Sequence, residues 1–312
     1  MQDLDLPAFC ADLGIPGLAD AHVHFLPPRL LRKIWAYFDT GGPLLTDGPW
    51  PIWYRLPDDA DRVARLRDMG VRLFTALAYA HRPEMAASLN DWTLDFAAAT
   101  PGCVPSATFY PETGVERYVT KALDRGARVF KVHLQVGAFS PADPLLDPVW
   151  GLISEAGIPV VMHAGHAPVG TSFTGTAPVT ALLGRHRDLP LVIAHLGAPD
   201  YGEFLRIAAA HERVALDTTM VFTDFFDVFA PFPASALPLL KELGEAGRIL
   251  LGSDFPNIPH PYARQIQGLV DLGLGDAWLR AVCWDSPIRL LGENRPDPAL
   301  GSDVPGATKG ER

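Results

Sequence analysis

Eight short runs of β-type residues recur along this chain, and amphipathic stretches separate most of them. The runs are GLADAHVHF (17–25), VRLFTALAY (71–79), CVPSATFY (103–110), ARVFKVHL (127–134), IPVVMHA (158–164), LPLVIAHL (189–196), RVALDTT (213–219) and RILLGSD (248–254). They are nearly continuous in Val, Ile, Leu and Ala, as in parallel strands covered on both faces, and most are bounded by Gly or Pro. Between them stand segments such as PEMAASLNDWTLDFAAA and GVERYVTKALDRGA, several entered through Pro or Thr and closed by Gly. Eight βα units predict the α/β class and a (β/α)8 TIM barrel.

The length of 312 residues suits one large barrel, and no linker or shorter repeat divides it, so residues 1–291 are expected to form a single domain. Two segments depart from the repeat. Residues 27–57, rich in Pro, Gly, Trp and Tyr, form a long insertion after the first run, predicted to be a loop. It leaves the C-terminal face of the barrel, so it either caps a pocket, with Trp50, Trp53 and Tyr54 as walls, or covers the barrel flank. The tail from Gly292 to Arg312 is expected to be mobile.

A formal charge of −10 and a pI near 5.4 argue against a nucleic-acid footprint and leave a small molecule as the expected partner. With 48% hydrophobic residues and a mean hydropathy of +0.11, the chain has the composition of a globular protein with a large core. Cys10, Cys103 and Cys283 are odd in number and far apart, which suits reduced thiols. Acidic residues stand where a signal peptide needs basic ones, and no apolar run approaches the roughly 20 residues that span a bilayer. A cytoplasmic protein without a membrane partner is expected.

His22 and His24 share a side if their run is extended, and so can bind one ion together. Alone the pair is weak, because core and loop histidines are commoner than ligands. Three later runs end in side chains of the same kind: His163, His195 and Asp254, each where a TIM barrel builds its active site. Lys131 to His163 is 32 residues, His163 to His195 is 32, and His195 to Asp254 is 59: one unit, one unit and two. Unrelated histidines would not keep step with the βα period. His186 and His211 have charged neighbours and read as solvated surface residues.

Lys131 and His133 repeat the i, i+2 geometry on the fourth run. An inward lysine is a carbamate bridging two metals, a substrate contact or an ion-pair partner of Asp254, because an unpaired buried charge is costly. Further substrate-side candidates are His81 and Arg82 after the second run, His166 after the fifth, His260 after the eighth, and Trp53. Cationic groups on this rim of an acidic protein favour an anionic substrate.

DAHVHF, VFKVHLQ, IPVVMHAGH, LVIAHLGAPDYGEF and ILLGSDFPN together resemble the amidohydrolase superfamily over residues 18–291. The closer likeness is to its amidohydrolase-related branch, which includes enzymes similar to aminocarboxymuconate semialdehyde decarboxylase. The resemblance implies a metal-dependent barrel, with the HxH ligands at His22 and His24, the fifth-strand ligand at His163, the sixth-strand histidine at His195 and the eighth-strand aspartate at Asp254. It also makes a homodimer a reasonable expectation. Many members carry Asn-Ala before an Arg-Leu run where this chain has WDSPIRLL; Asp285 and Ser286 depart from that pattern, and a helix-capping role is expected to survive.

Such a donor set suits Zn²⁺, with Mn²⁺ as the alternative, holding a water at an open position. Asp254 would then exchange the water proton, and His195 would be a further ligand, a base or a donor to developing negative charge. Hydrolysis of an amide, lactone or related bond uses these parts. So does non-oxidative decarboxylation of an aromatic or unsaturated acid, and a catalytically idle ligand-binding barrel is the third reading.

Overall fold

The computed structural model of the chain describes residues 1–40 and 50–292. Its strands pair in parallel in two sheets. The first holds β1 (Leu18–Asp20), β2 (Val71–Thr75) and β3 (Cys103–Val104). The second holds β4 (Ser106–Thr108), β5 (Val129–His133), β6 (Val160–His163), β7 (Leu191–Ile193), β8 (Val214–Asp217) and β9 (Ile249–Leu250). β3 and β4 are one run in the sequence; Pro105 between them has no N–H to give a ladder. The ring closes past the last strand, where the N–H of Ala21 donates to Leu251 O and that of Asp254 to His22 O, both at 2.8 Å. The eight-stranded α/β barrel expected from the sequence is the fold.

Most ladders stop short of the ends of the apolar runs because polar side chains take over the backbone partners. Thr75 Oγ1 accepts from Val23 N, Ser106 Oγ from Ala76 N and Asp20 Oδ1 from His22 N, all at 3.0 Å. Asp217 Oδ1 accepts from His195 N at 2.9 Å. The C-terminal rim is therefore extended chain held by side chains, and there backbone direction is free to change.

Residues two apart on a strand share a face. Val129, Val161, Val192, Ala215 and Leu250 meet in one buried cluster inside the barrel, while Phe130, Val132, Met162, Ile193 and Leu216 pack outward in the larger core that includes the helices. The inward series continues upward into Lys131, His133, His163, Asp217 and Asp254. His195 breaks this phase, since Val192 and Ala194 are the inward pair on its strand. It enters the site through a left-handed turn, φ 55° at His195 and 51° at Leu196.

The insertion after β1 is in its first part a helix rather than a loop. Pro27 caps it and Pro28 opens the helix Pro28–Asp39, with the preset φ that suits a first turn. Leu31 and Trp35 are buried beneath it, and Trp35 Nε1 donates to Asn257 Oδ1 at 2.9 Å. Residues 41–49 of the insertion lie outside the described residues, as does the tail expected to be mobile, from residue 293 onward. Asp285 and Ser286 do not cap a helix: the chain is already helical from Asp276, passing through a wide turn at Ala281–Asp285 just before Pro287.

Candidate active site

The inward residues at the top of the barrel converge on Asp254. Its Oδ1 lies 2.9 Å from His24 Nε2 and 3.2 Å from His22 Nε2, and its Oδ2 lies 3.9 Å from His195 Nε2. On the far side of each ring, Nδ1 meets an acceptor. For His22 this is Asp217 Oδ2 at 2.9 Å, for His24 Leu77 O at 2.8 Å and for His195 Thr219 O at 3.0 Å. A carbonyl or carboxylate oxygen only accepts, so in a neutral imidazole the proton sits on Nδ1 and Nε2 presents a lone pair. Lone pairs that face a carboxylate repel it unless a cation lies among them.

The chemistry of this donor set therefore fits a divalent metal ion. His22, His195 and Asp254 each place one donor atom within 4.8 Å of the others, and His24 joins them through Asp254. Burial, aided by Lys131, lowers the His22 pKa to about 4, which keeps the ring in the neutral, ligating form. Burial would raise Asp254, but the imidazoles of His22, His24 and His195 outweigh it and hold the carboxyl well below the ordinary range. Burial also lowers Lys131 to about 8, opposed by Asp217 and Asp254, and its Nζ lies 2.9 Å from His22 Nε2.

His163 stands apart from the three converging rings. Its Nε2 donates to Ala167 O at 2.8 Å, which leaves Nδ1 as the lone-pair atom. It stacks on His133 with centroids 3.9 Å apart and planes 11° apart. His133 Nδ1 accepts from Val136 N at 3.3 Å, so the His133 proton sits on Nε2. Burial drives both rings well below the usual histidine pKa, and they are neutral.

Above this floor lies a cavity of about 550 Å³. Leu30, Ile34, Tyr37 and Phe38 of the helix Pro28–Asp39 form its roof; Trp50, Met220, Phe226 and Phe229 form a wall, with Tyr79, Val136 and Pro168 opposite. Trp50 is fixed by its Nε1, which donates to Asn257 O at 2.8 Å. Lys33 and His81 bring the remaining cationic or basic groups to the lining.

Of the substrate-side residues read from the sequence, Lys131, His133 and His81 line this cavity, and Arg82, His166 and Trp53 do not. Arg82 is exposed on the loop after β2. His166 turns to bond Asp200 and fills the space over Gly170 and Gly175. Trp53 is 58% exposed, and its backbone N–H donates to the carbonyl of the buried Ile258. Tyr54 is buried against Phe255 with its hydroxyl on Asp3, and His260 is buried outside the lining. His186 bonds Asp147 near the surface.

Sequence reading missed Asp217, Tyr79 and Gln135. Asp217 closes the VALD run as His163 closes VVMH, so the same end-of-strand signal was present. Tyr79 ends the second apolar run, beyond β2, and Gln135 lies in the short turn of helix after β5, its Oε1 buried without a hydrogen-bond partner on the cavity lining.

Known proteins carry the same architecture. An uncharacterised TIM-barrel protein from Bordetella bronchiseptica superposes with a TM-score of 0.66 at 18% identity, covering 88% of this chain and 98% of that one. 5-Carboxyvanillate decarboxylase from Novosphingobium aromaticivorans, solved with manganese and 4-hydroxy-3-methoxy-5-nitrobenzoic acid, gives 0.60 at 11% identity over 90% and 97%. A probable 2-pyrone-4,6-dicarboxylic acid hydrolase from Acinetobacter baumannii with bound citric acid gives 0.57 at 15% identity over 89% and 100%. At these identities the likeness shows the fold. No curated protein sequence matches the chain. The family profile for amidohydrolases matches residues 19–292, which runs from β1 to the last described residue, and the chain belongs to the amidohydrolase family.

Proposed function

We propose that the protein is a metal-dependent hydrolase of a small organic anion, acting on an amide, lactone or related bond. The observation that carries this reading is the convergence of three imidazole Nε2 atoms on Asp254, each ring fixed from behind through Nδ1. His22, His24 and Asp254 would hold the ion, with His195 facing the other carboxylate oxygen and His163 offering Nδ1. Nitrogen-rich donors favour Zn²⁺ over Mn²⁺. When bound, a divalent ion there supplies Lewis acidity, polarising a substrate oxygen and making a water acidic near neutral pH.

The rest is the work of the chain. Asp254, held strongly ionised, is a weak base and takes a proton only from an acidified donor; it then returns that proton to the leaving group. His195 stands across the same carboxylate to donate to charge developing on the substrate. Lys131 and the Nε2–H of His133 orient an anionic group. Inside the barrel Asp217 and Asp254 flank the Lys131 ammonium, and the fully buried carboxyl of Asp20 accepts from His22 N. The roof and the aromatic wall exclude water and suit an apolar body on that anion.

A second reading, non-oxidative decarboxylation of an aromatic or unsaturated acid, draws on that same aromatic wall of Trp50, Phe226 and Phe229. Metal analysis of the purified protein, followed by parallel panels of lactones and amides and of hydroxybenzoates and unsaturated diacids, separates the two. Turnover of lactones or amides is the expected result. Carbon dioxide release from the acids with inert lactones and amides would install the second reading, and absence of any stoichiometric divalent ion after supplementation would sink both. We place the enzyme in the cytoplasm as a homodimer; no described helix is long and apolar enough to cross a membrane.

A further inference from the structure

Asp217 at the end of β8 is fully buried, and both of its oxygens are used. Oδ2 faces His22 Nδ1 at 2.9 Å. Oδ1 accepts from His195 N at 2.9 Å and from Thr219 N at 3.1 Å. Thr219 in turn presents its carbonyl to His195 Nδ1 at 3.0 Å. One carboxylate thus holds the ring of a residue that follows β1, the backbone of a residue that follows β7, and the turn that orients that second residue's ring.

We propose that Asp217 is the positioning residue that sets both His22 and His195 for the metal, a role that rests on the metal reading above. For His22 it sets the tautomer. The carboxylate behind Nδ1 and the Lys131 ammonium 2.9 Å from Nε2 are mutually consistent only with the proton on Nδ1. For His195 it sets the backbone. The strand's alternation directs Ala194 inward, and His195 reaches the site through two successive left-handed residues, a conformation that costs a non-glycine residue on the order of 1 kcal/mol or more. The bond from His195 N to Asp217 Oδ1 ties that turn to β8. Gly252 permits the carboxylate to sit where it does: a Cβ there would meet Thr219 Oγ1 at 2.2 Å, His22 Cβ at 2.9 Å and Asp217 Cγ at 3.2 Å.

Asp217→Asn cannot reproduce this. Its single amide oxygen serves either His22 Nδ1 or the two backbone N–H groups, and its NH₂ then faces a donor on the other side. The test measures Zn²⁺ affinity by chelator competition for wild type and Asp217→Asn, with Leu250→Ala, whose residue pairs with Asp217 on β9 but makes none of its side-chain hydrogen bonds, as a destabilised barrel control. A loss of about 10- to 100-fold in Asp217→Asn, with near wild-type affinity in Leu250→Ala, is expected. Nitrogen-15 spectra of histidine-labelled wild type should show His22 protonated on Nδ1, a readout that needs no variant to fold. Wild-type affinity in Asp217→Asn, or His22 protonated on Nε2 in the wild type, would overturn the role of Asp217. Wild-type protein that binds neither Zn²⁺ nor Mn²⁺ overturns the metal reading itself, which is a separate result.

Discussion

The lower and upper halves of the barrel interior are built from the same strands in the same alternation, with opposite chemistry. On β5 Val129 lies below Lys131 and His133; on β6 Val161 lies below His163; on β8 Ala215 lies below Asp217. The lower layer is apolar and close-packed, and its burial stabilises the fold in the ordinary way. The upper layer buries two carboxylates, an ammonium and several imidazoles, and it adds left-handed backbone at His195 and Asp254. Each of those features costs free energy in isolation. The lower layer anchors strands whose upper ends are free to be arranged for chemistry rather than for stability.

Substitutions in the two layers should therefore separate cleanly. In the upper layer, Asp254→Asn is expected to keep most of the metal and to lower kcat by about 10²- to 10⁴-fold, the range of a lost proton-transfer group. Steady-state kinetics beside metal analysis check this, and an active variant would remove Asp254 from the proton path. His22→Ala should lose metal and activity together, and a fall in melting temperature accompanies them because Asp217 Oδ2 is left buried without its partner. In the lower layer, Leu250→Ala should show the inverse pattern. It is expected to cost about 2–5 kcal/mol in denaturant unfolding, as buried Leu→Ala changes do, with kcat nearly unchanged. Loss of metal from Leu250→Ala as complete as that from His22→Ala would break the division.

The division also explains how much was legible in the sequence. Alternation on buried strands is a local rule, so the eight runs, the barrel and the inward side of Lys131, His133, His163 and Asp254 could be read from spacing. What spacing cannot carry is a change of backbone direction. His195 was found by its place at the end of a run, yet it reaches the site out of phase with its strand through a turn that VIAHLGA does not announce. Asp217 was passed over because the interval from His195 to Asp254 was counted as two units, with no residue sought at the strand between. The insertion misled for a different reason. Its two prolines and later Gly, Trp and Tyr read as loop, whereas Pro27 and Pro28 open a helix whose apolar face becomes the roof. Trp53 and His166 stand out by type and position, but the long-range bond to Asp200 holds the His166 ring outside the cavity and the Trp53 ring lies exposed.

The cavity wall supplies a smaller effect that sharpens the same boundary from above. Phe229→Ala removes apolar lining without touching any group on the floor. Its expected signature is a KM raised several-fold, by about 1–3 kcal/mol of lost apolar contact at most, with kcat little changed, because wall contacts serve ground state and transition state alike. A fall in kcat without a change in KM would instead place Phe229 among the groups that act on the reacting atoms.

His166→Ala is the smallest change of the series and the most direct test of where the site ends. The ring is partly exposed, bonds Asp200 rather than the cavity, and sits over glycines of the loop after β6. An exposed pair of this kind contributes little to stability. Both kcat and KM should stay within about twofold of wild type, with a slight drop in melting temperature from the loosened loop. By contrast His133→Ala, one strand away and lining the cavity, should raise KM for an anionic substrate. If the two variants behaved alike, the functional boundary would lie outside the cavity wall, on the loops where sequence reading first placed it.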